Sequence, residues 1–192
     1  MHAILALALL FAGSPMSMLR KSNEEIRTIL KQQKGETAAT PEQKQKIKQI
    51  VNGFLDYEEL AKRSLAGEWD KLSGAQRTEF VHVFRDLIER NYVKQLRSNV
   101  NYQIDYKDEQ VDGTEATVHS IVKAERKGRK ADTTVDYKLA EKGGGKWAVY
   151  DVITDDVSLL RNYRSEFGRI IKRDGFPTLL AKMKKKLAET TE

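Results

Sequence analysis

Val100-Asn101-Tyr102-Gln103-Ile104-Asp105-Tyr106 alternates apolar and polar residues without interruption. A period of two puts every second side chain on one face, so this stretch reads as a half-buried β-strand. It decides the fold because the pattern changes here. Downstream, period two continues. Asp112-Gly113 marks a turn, and Ala116, Val118, Ser120 and Val122 alternate after it. Lys127-Gly128-Arg129 is a second turn, followed by Thr133, Val135, Tyr137 and Leu139. Gly143-Gly144-Gly145 is a third link, and a last strand covers residues 146–154. Four consecutive strands with short links predict an antiparallel meander.

Upstream, apolar residues recur at helical spacing. Leu19, Ile26, Ile29 and Leu30 predict a helix over 17–33, and Gly35 to Ala39 breaks it. Thr40-Pro41-Glu42-Gln43 is a helix start, with Thr40 as cap, Pro41 in the first turn and Gln43 closing a capping box. The stripe Ile47, Ile50, Val51, Phe54 and Leu55 follows. Asp56 and Glu59 form a second cap before Leu60, Ala61 and Leu65, and Gly67 is expected to end that helix. Ser73 and Gln76 open a long helix carrying Phe80, Phe84, Leu87, Ile88, Tyr92 and Leu96. Beyond the strands come two more helices. One carries Leu159, Leu160, Tyr163, Phe167, Ile170 and Ile171 up to Gly175; the other carries Leu179, Leu180, Met183 and Leu187. Helices, then strands, then helices predict an α+β fold: a curved four-stranded antiparallel meander packed against a helical bundle.

The length of 192 residues suits one domain with a helical elaboration. A 40% hydrophobic and 32% charged composition is that of a globular chain. The net charge of +6 favours anionic partners without choosing among them. With no cysteine, disulfides, thiolate metal sites and cysteine nucleophiles are excluded. Ala3 to Ala12 is an unbroken apolar run, shorter than the roughly 20 residues of a spanning helix. It predicts a secretory signal over residues 1–17 and a single domain over 18–192. An N-terminal anchor or a buried helix are the alternatives.

Catalytic patterns do not emerge. His2, His82 and His119 lack metal-site spacing, and His82 with Asp86 at i+4 reads as a surface contact. There is no G-x-S-x-G, no phosphate-binding glycine loop and no S-x-x-K. Asp155 and Asp156 are expected to cap the next helix. Asp151, the one strand carboxylate flanked by apolar residues, is expected to pair with a basic group. Lys182, Lys184, Lys185 and Lys186 form a solvated face, with membrane or partner docking as the alternative. Basic and acidic residues alternate along the helices and the aromatics fall on apolar stripes, so no nucleic-acid surface is expected. No catalytic residue, metal ligand or cofactor site is assigned.

Two stretches resemble one family. The first is Phe54-Leu55-Asp56-Tyr57-Glu58-Glu59-Leu60-Ala61, continuing through Leu65-Ala66-Gly67-Glu68-Trp69 and Gln76 to Phe84. The second is Lys146-Trp147-Ala148-Val149-Tyr150-Asp151-Val152, then Val157-Ser158-Leu159 and Asn162-Tyr163-Arg164-Ser165-Glu166-Phe167. Both are similar to the MlaC family of periplasmic phospholipid-binding proteins, also called toluene-tolerance auxiliary proteins of an ABC transport system. The resemblance spans about residues 20–189. It implies a sheet like that of nuclear transport factor 2 beside a helical part, with an apolar cavity between them. It also implies a periplasmic carrier that moves phospholipid between an outer-membrane lipoprotein complex and an inner-membrane ABC transporter complex. In such a fold the acyl chains would meet Leu87, Ile88, Tyr102, Ile104, Val118, Val135, Val149, Leu160 and Tyr163, each of which could equally be ordinary core. A small enzyme for a hydrophobic ligand on the same sheet, or an interaction module without a cavity, are the other readings.

Overall fold

The capping signals place the helices. Thr40 accepts from the Gln43 backbone N–H and the Gln43 side chain returns to the Thr40 backbone, starting α2 (Pro41–Phe54). Asp56 accepts from Glu59 N at the head of α3 (Tyr57–Leu65), and Ser73 with Gln76 makes the same reciprocal box ahead of α4 (Gly74–Leu96). The computed structural model describes residues 13–31, 40–96, 102–126 and 129–189. The apolar run at Ala3–Ala12, the break at Gly35–Ala39, Val100 and Lys127-Gly128 lie outside the described residues.

Helix α1 covers Pro15–Lys31, starting two residues before the helix expected over 17–33. Helix α3 ends one residue earlier than Gly67 suggests. Ala66 turns out of it with a φ of 49°, and Gly67 lies inside a 3-10 segment, Ala66–Lys71. The strands are β1 (Tyr102–Asp112), β2 (Glu115–Arg126), β3 (Arg129–Glu141) and β4 (Trp147–Thr154), joined by a two-residue β5 (Val157–Ser158). Their order is sequential and every pairing antiparallel, so the meander holds with one added strand. Asp155 and Asp156 form the turn before β5, with φ of 45° and 66°. The cap of α5 (Leu159–Asp174) is instead Ser158, whose hydroxyl accepts from Arg161 N. Asp155 turns back to β3, taking the Thr134 backbone N–H. Gly175, at φ 81°, separates α5 from α6 (Phe176–Ala188).

Two bulges bend the sheet. One lies at Lys107, between the Tyr106–Ser120 and Asp108–His119 pairs. The other makes Tyr150 the extra residue, since Lys138 faces Asp151 and Leu139 faces Val149. Helices α3 to α6 form a bundle around Phe80, Phe84, Phe167 and Phe176, whose rings meet at 5.3–5.9 Å. A second core joins α1 to the sheet through Leu19, Val118, Leu139 and Val149. A third joins α1 to α2 through Ile26, Leu30, Ile47 and Val51. The bundle meets the sheet where Leu55 bridges Val149 and Asp56 N donates to Val149 O at 2.7 Å.

Candidate functional site: the sheet face under α1

Strand alternation and register put Tyr102, Ile104, Val118, Val135 and Val149 on one sheet face. Ala116, Tyr137, Leu139 and Ser120 fill the positions between them, giving an apolar surface with a few hydroxyls. Helix α1 lies on that surface. Met16, Met18 and Leu19 of α1, with Phe54 and Leu55 at the end of α2, pack on this face.

The sequence reading lacked this role for α1. Its apolar stripe is Leu19, Asn23, Ile26 and Leu30, and the signal was Asn23, a polar residue inside the stripe. Asn23 is 9% exposed and accepts from the Tyr102 hydroxyl at 3.2 Å. Arg20 stacks over the Tyr106 ring at 4.8 Å and reaches its carbonyl at 3.4 Å. The Met16 backbone N–H donates to Glu109 at 2.7 Å. Thus α1 is held by an apolar stripe and a short row of polar contacts along β1. Below it, burial pushes the Tyr137 phenol up to about 12, with Tyr102 adding to the rise and a Ser120 hydrogen bond opposing it. Burial likewise raises Tyr102 and Tyr106. All three phenols are therefore neutral hydrogen-bonding groups at ordinary pH.

Leu87 and Ile88 are buried in the bundle, and Leu160 and Tyr163 pack against that same cluster. The structure therefore assembles the five sheet positions on one face and leaves the four helical ones in a separate core. Two clefts flank α1. One, about 640 Å³, lies between α1 and α2 and is lined by Glu24, Glu25, Thr28, Ile29, Lys46, Gln49 and Ile50. The other, about 300 Å³, lies between α1 and β1 beside Ile104 and Tyr106.

The polar residues singled out by sequence have structural partners. Asp151, 5% exposed, accepts from the Ser158 hydroxyl at 2.7 Å and the Leu160 backbone N–H at 2.9 Å. It anchors the head of α5, and among the described residues no cation lies within ion-pair distance of it. His82 sits 3.5 Å from Asp86 on an exposed helix face, and His119 lies 2.9 Å from Asp136 on the outer sheet face. Lys182 pairs with Asp174, Lys184 with Glu79 and Lys185 with Glu189. Among the described residues no group of three or more His, Asp or Glu side chains could hold a metal, and no helix is long and apolar enough to cross a membrane.

The comparisons with known proteins agree with this architecture. The solved structure of a phospholipid-binding protein from Ralstonia solanacearum, in complex with a phospholipid, superposes with a TM-score of 0.76. It is 20% identical and the match covers 94% of this chain and 100% of that one, a likeness of fold. The intermembrane phospholipid transport system binding protein MlaC of Haemophilus influenzae is 25% identical over 138 residues. That match spans 71% of this chain and 64% of the relative. A family model described as MlaC protein matches residues 20–185. With most of its length matched, this chain belongs to the MlaC protein family.

Proposed function

We propose that the protein is a periplasmic phospholipid carrier that exchanges lipid with outer-membrane and inner-membrane complexes of an ABC-type transport system. Membership of the MlaC family over residues 20–185 carries this reading. The apolar sheet face beneath the amphipathic helix α1 supports it. A leader containing Ala3–Ala12 would direct export and end ahead of α1, whose first turn is tied to Glu109 through Met16.

The physics explains the need for a carrier. Two acyl chains of about 16 carbons hold roughly 30 methylenes, and exposing them to water costs on the order of 24 kcal/mol at about 0.8 kcal/mol each. An apolar protein surface removes that cost without making or breaking a bond. A bilayer offers the same environment, so net transfer is near balance and direction comes from an ATP-driven partner. We assign the acyl chains to the face of Tyr102, Ile104, Val118, Val135 and Val149. Leu87, Ile88, Leu160 and Tyr163 keep the bundle packed behind it. Asp151, occupied in holding α5, supports binding rather than catalysis.

The test is extraction of protein purified without detergent. Near-stoichiometric phospholipid by mass spectrometry is expected. Protein that extracts clean, and takes up no phospholipid from vesicles, refutes the carrier reading.

A further inference from the structure

The cleft between α1 and β1 combines two chemistries. It is lined by Ile104 and Tyr106, which belong to the apolar face, and by the polar residues Arg20, Asn23, Arg27 and Gln103. The charged groups lining it are Arg20, Arg27 and Glu24, a net charge of +1 from two cations and one carboxylate. Glu24 is committed to Arg27 at 3.1 Å. Among the described residues Arg20 has no carboxylate partner. It rests on the Tyr106 ring, the Tyr106 carbonyl and the Met16 sulfur, the last two at 3.4 Å. These neutral contacts are weaker than the charge-assisted, bidentate bonds a guanidinium makes to a phosphate.

At about 300 Å³ the cleft lies at the lower bound of drug-sized ligand sites, which run about 300–1,000 Å³, too small for a whole two-chain lipid. It suits the polar end of one. Resting on the carrier reading, we propose that this cleft is a phosphate subsite. Arg20 and Arg27 hold the lipid phosphodiester at the mouth while the acyl chains pass beneath α1 onto the sheet. Both arginines belong to the helix that covers the chain-binding face. The group that takes the phosphate therefore moves with the helix that must lift to admit the chains.

The experiment loads delipidated full-length protein from vesicles containing equal phosphatidylglycerol and diacylglycerol with the same acyl chains. The bound ratio is then read by extraction and mass spectrometry. Wild type is expected to favour the phospholipid. The R20Q/R27Q double variant should lose about tenfold in that ratio, and R20K/R27K should recover most of it, since Lys retains the charge but not the fork. An unchanged ratio overturns the subsite. A fall in total load at constant ratio also overturns it, because the arginines would then act on α1 packing alone. Excess inorganic phosphate should leave the lipid bound; displacement would make this a free-anion site and overturn the lipid assignment. Wild type that takes up neither lipid is the failure of the carrier reading itself.

Discussion

Arg63 lies over the ring of Tyr150, its guanidinium carbon 3.8 Å from the ring centroid, and both side chains bind one carboxylate, Glu115. Arg63 also holds Glu59 at 2.7 Å within α3, and its carbonyl accepts from Arg164 of α5. Tyr150 is the bulged residue of β4 and Glu115 opens β2. The cluster thus ties two bundle helices to two strands at the boundary between the bundle and the sheet.

Arg63→Ala is expected to cost about 1–2 kcal/mol, from a cation–π contact of about 0.5–1 kcal/mol and half-exposed ion pairs of similar or smaller worth. Burial alone would raise the Glu115 carboxyl. The hydrogen bonds from Tyr150 and Arg63 outweigh it and hold the group below its ordinary 4.5. A depressed folded value means stability that is present above the unfolded value and lost as pH falls through the folded one. The advantage of wild type over Glu115→Gln, measured by urea unfolding, should be full at neutral pH and fade below about pH 4.5. An advantage that grows in acid would contradict this network.

Asp151 is expected to matter for folding through its hydrogen bonds. Asp151→Ala orphans the Leu160 N–H and the Ser158 hydroxyl at the start of α5, at a cost of about 2–3 kcal/mol, or roughly 5–10 °C in Tm. Asp151→Asn keeps an acceptor oxygen and should lose less than about half of that. Thermal melts followed by circular dichroism compare the two. Equal losses would show that the charge, rather than the hydrogen bonds, holds this junction.

Positions in the bundle and on the sheet should respond differently. Leu87 is 6% exposed among the bundle aromatics, so Leu87→Ala should cost about 2–5 kcal/mol yet leave the lipid carried per folded molecule unchanged. Ile104 is half-buried at the edge of α1, so Ile104→Asp should fold and carry much less lipid, because the carboxylate would face acyl chains. Lipid analysis across the chemical-unfolding baseline separates the effects. A Leu87→Ala protein that folds fully and extracts empty would put the acyl site in the bundle.

Local signals were legible wherever the chemistry is local. The reciprocal caps at Thr40 and Ser73, the positive-φ glycines at the β3–β4 link and the period-two strands all act within a few residues, and over the described residues each appears where the sequence places it. Partners distant in sequence were less legible. The pairing of Arg63 with Glu115 spans 52 positions, and nothing near either residue specifies the other. Asp155-Asp156 misled for a related reason. Short acidic residues serve equally as helix caps and as left-handed turn residues, and the two-residue β5 required the turn. The nine candidate lipid contacts were chosen by apolar spacing, which reports burial but not which of three cores does the burying.

The position of Leu19 supplies the last prediction. Its side chain is 3% exposed and packs with Val118, Leu139 and Val149, while Met16, Met18, Arg20 and Asn23 make the other contacts of α1 with the sheet. Burying one leucine is worth about 1.5–3 kcal/mol, and a carboxylate in its place adds a desolvation cost. In lipid-free protein, Leu19→Asp should therefore raise the open population of α1 by about a hundredfold or more, since each 1.4 kcal/mol is tenfold. Amide hydrogen exchange reads this directly. Protection over Pro15–Lys31 should collapse while that of α3 to α6 stays near wild type, because the bundle closes its own aromatic core. Loading wild type with phospholipid should shift exchange in α1 the same way, since acyl chains on the sheet displace the side chains that hold the helix down. If lipid instead increases protection of α1 and leaves Leu19 packed on Val118, the chains lie elsewhere and α1 is a fixed wall of the fold.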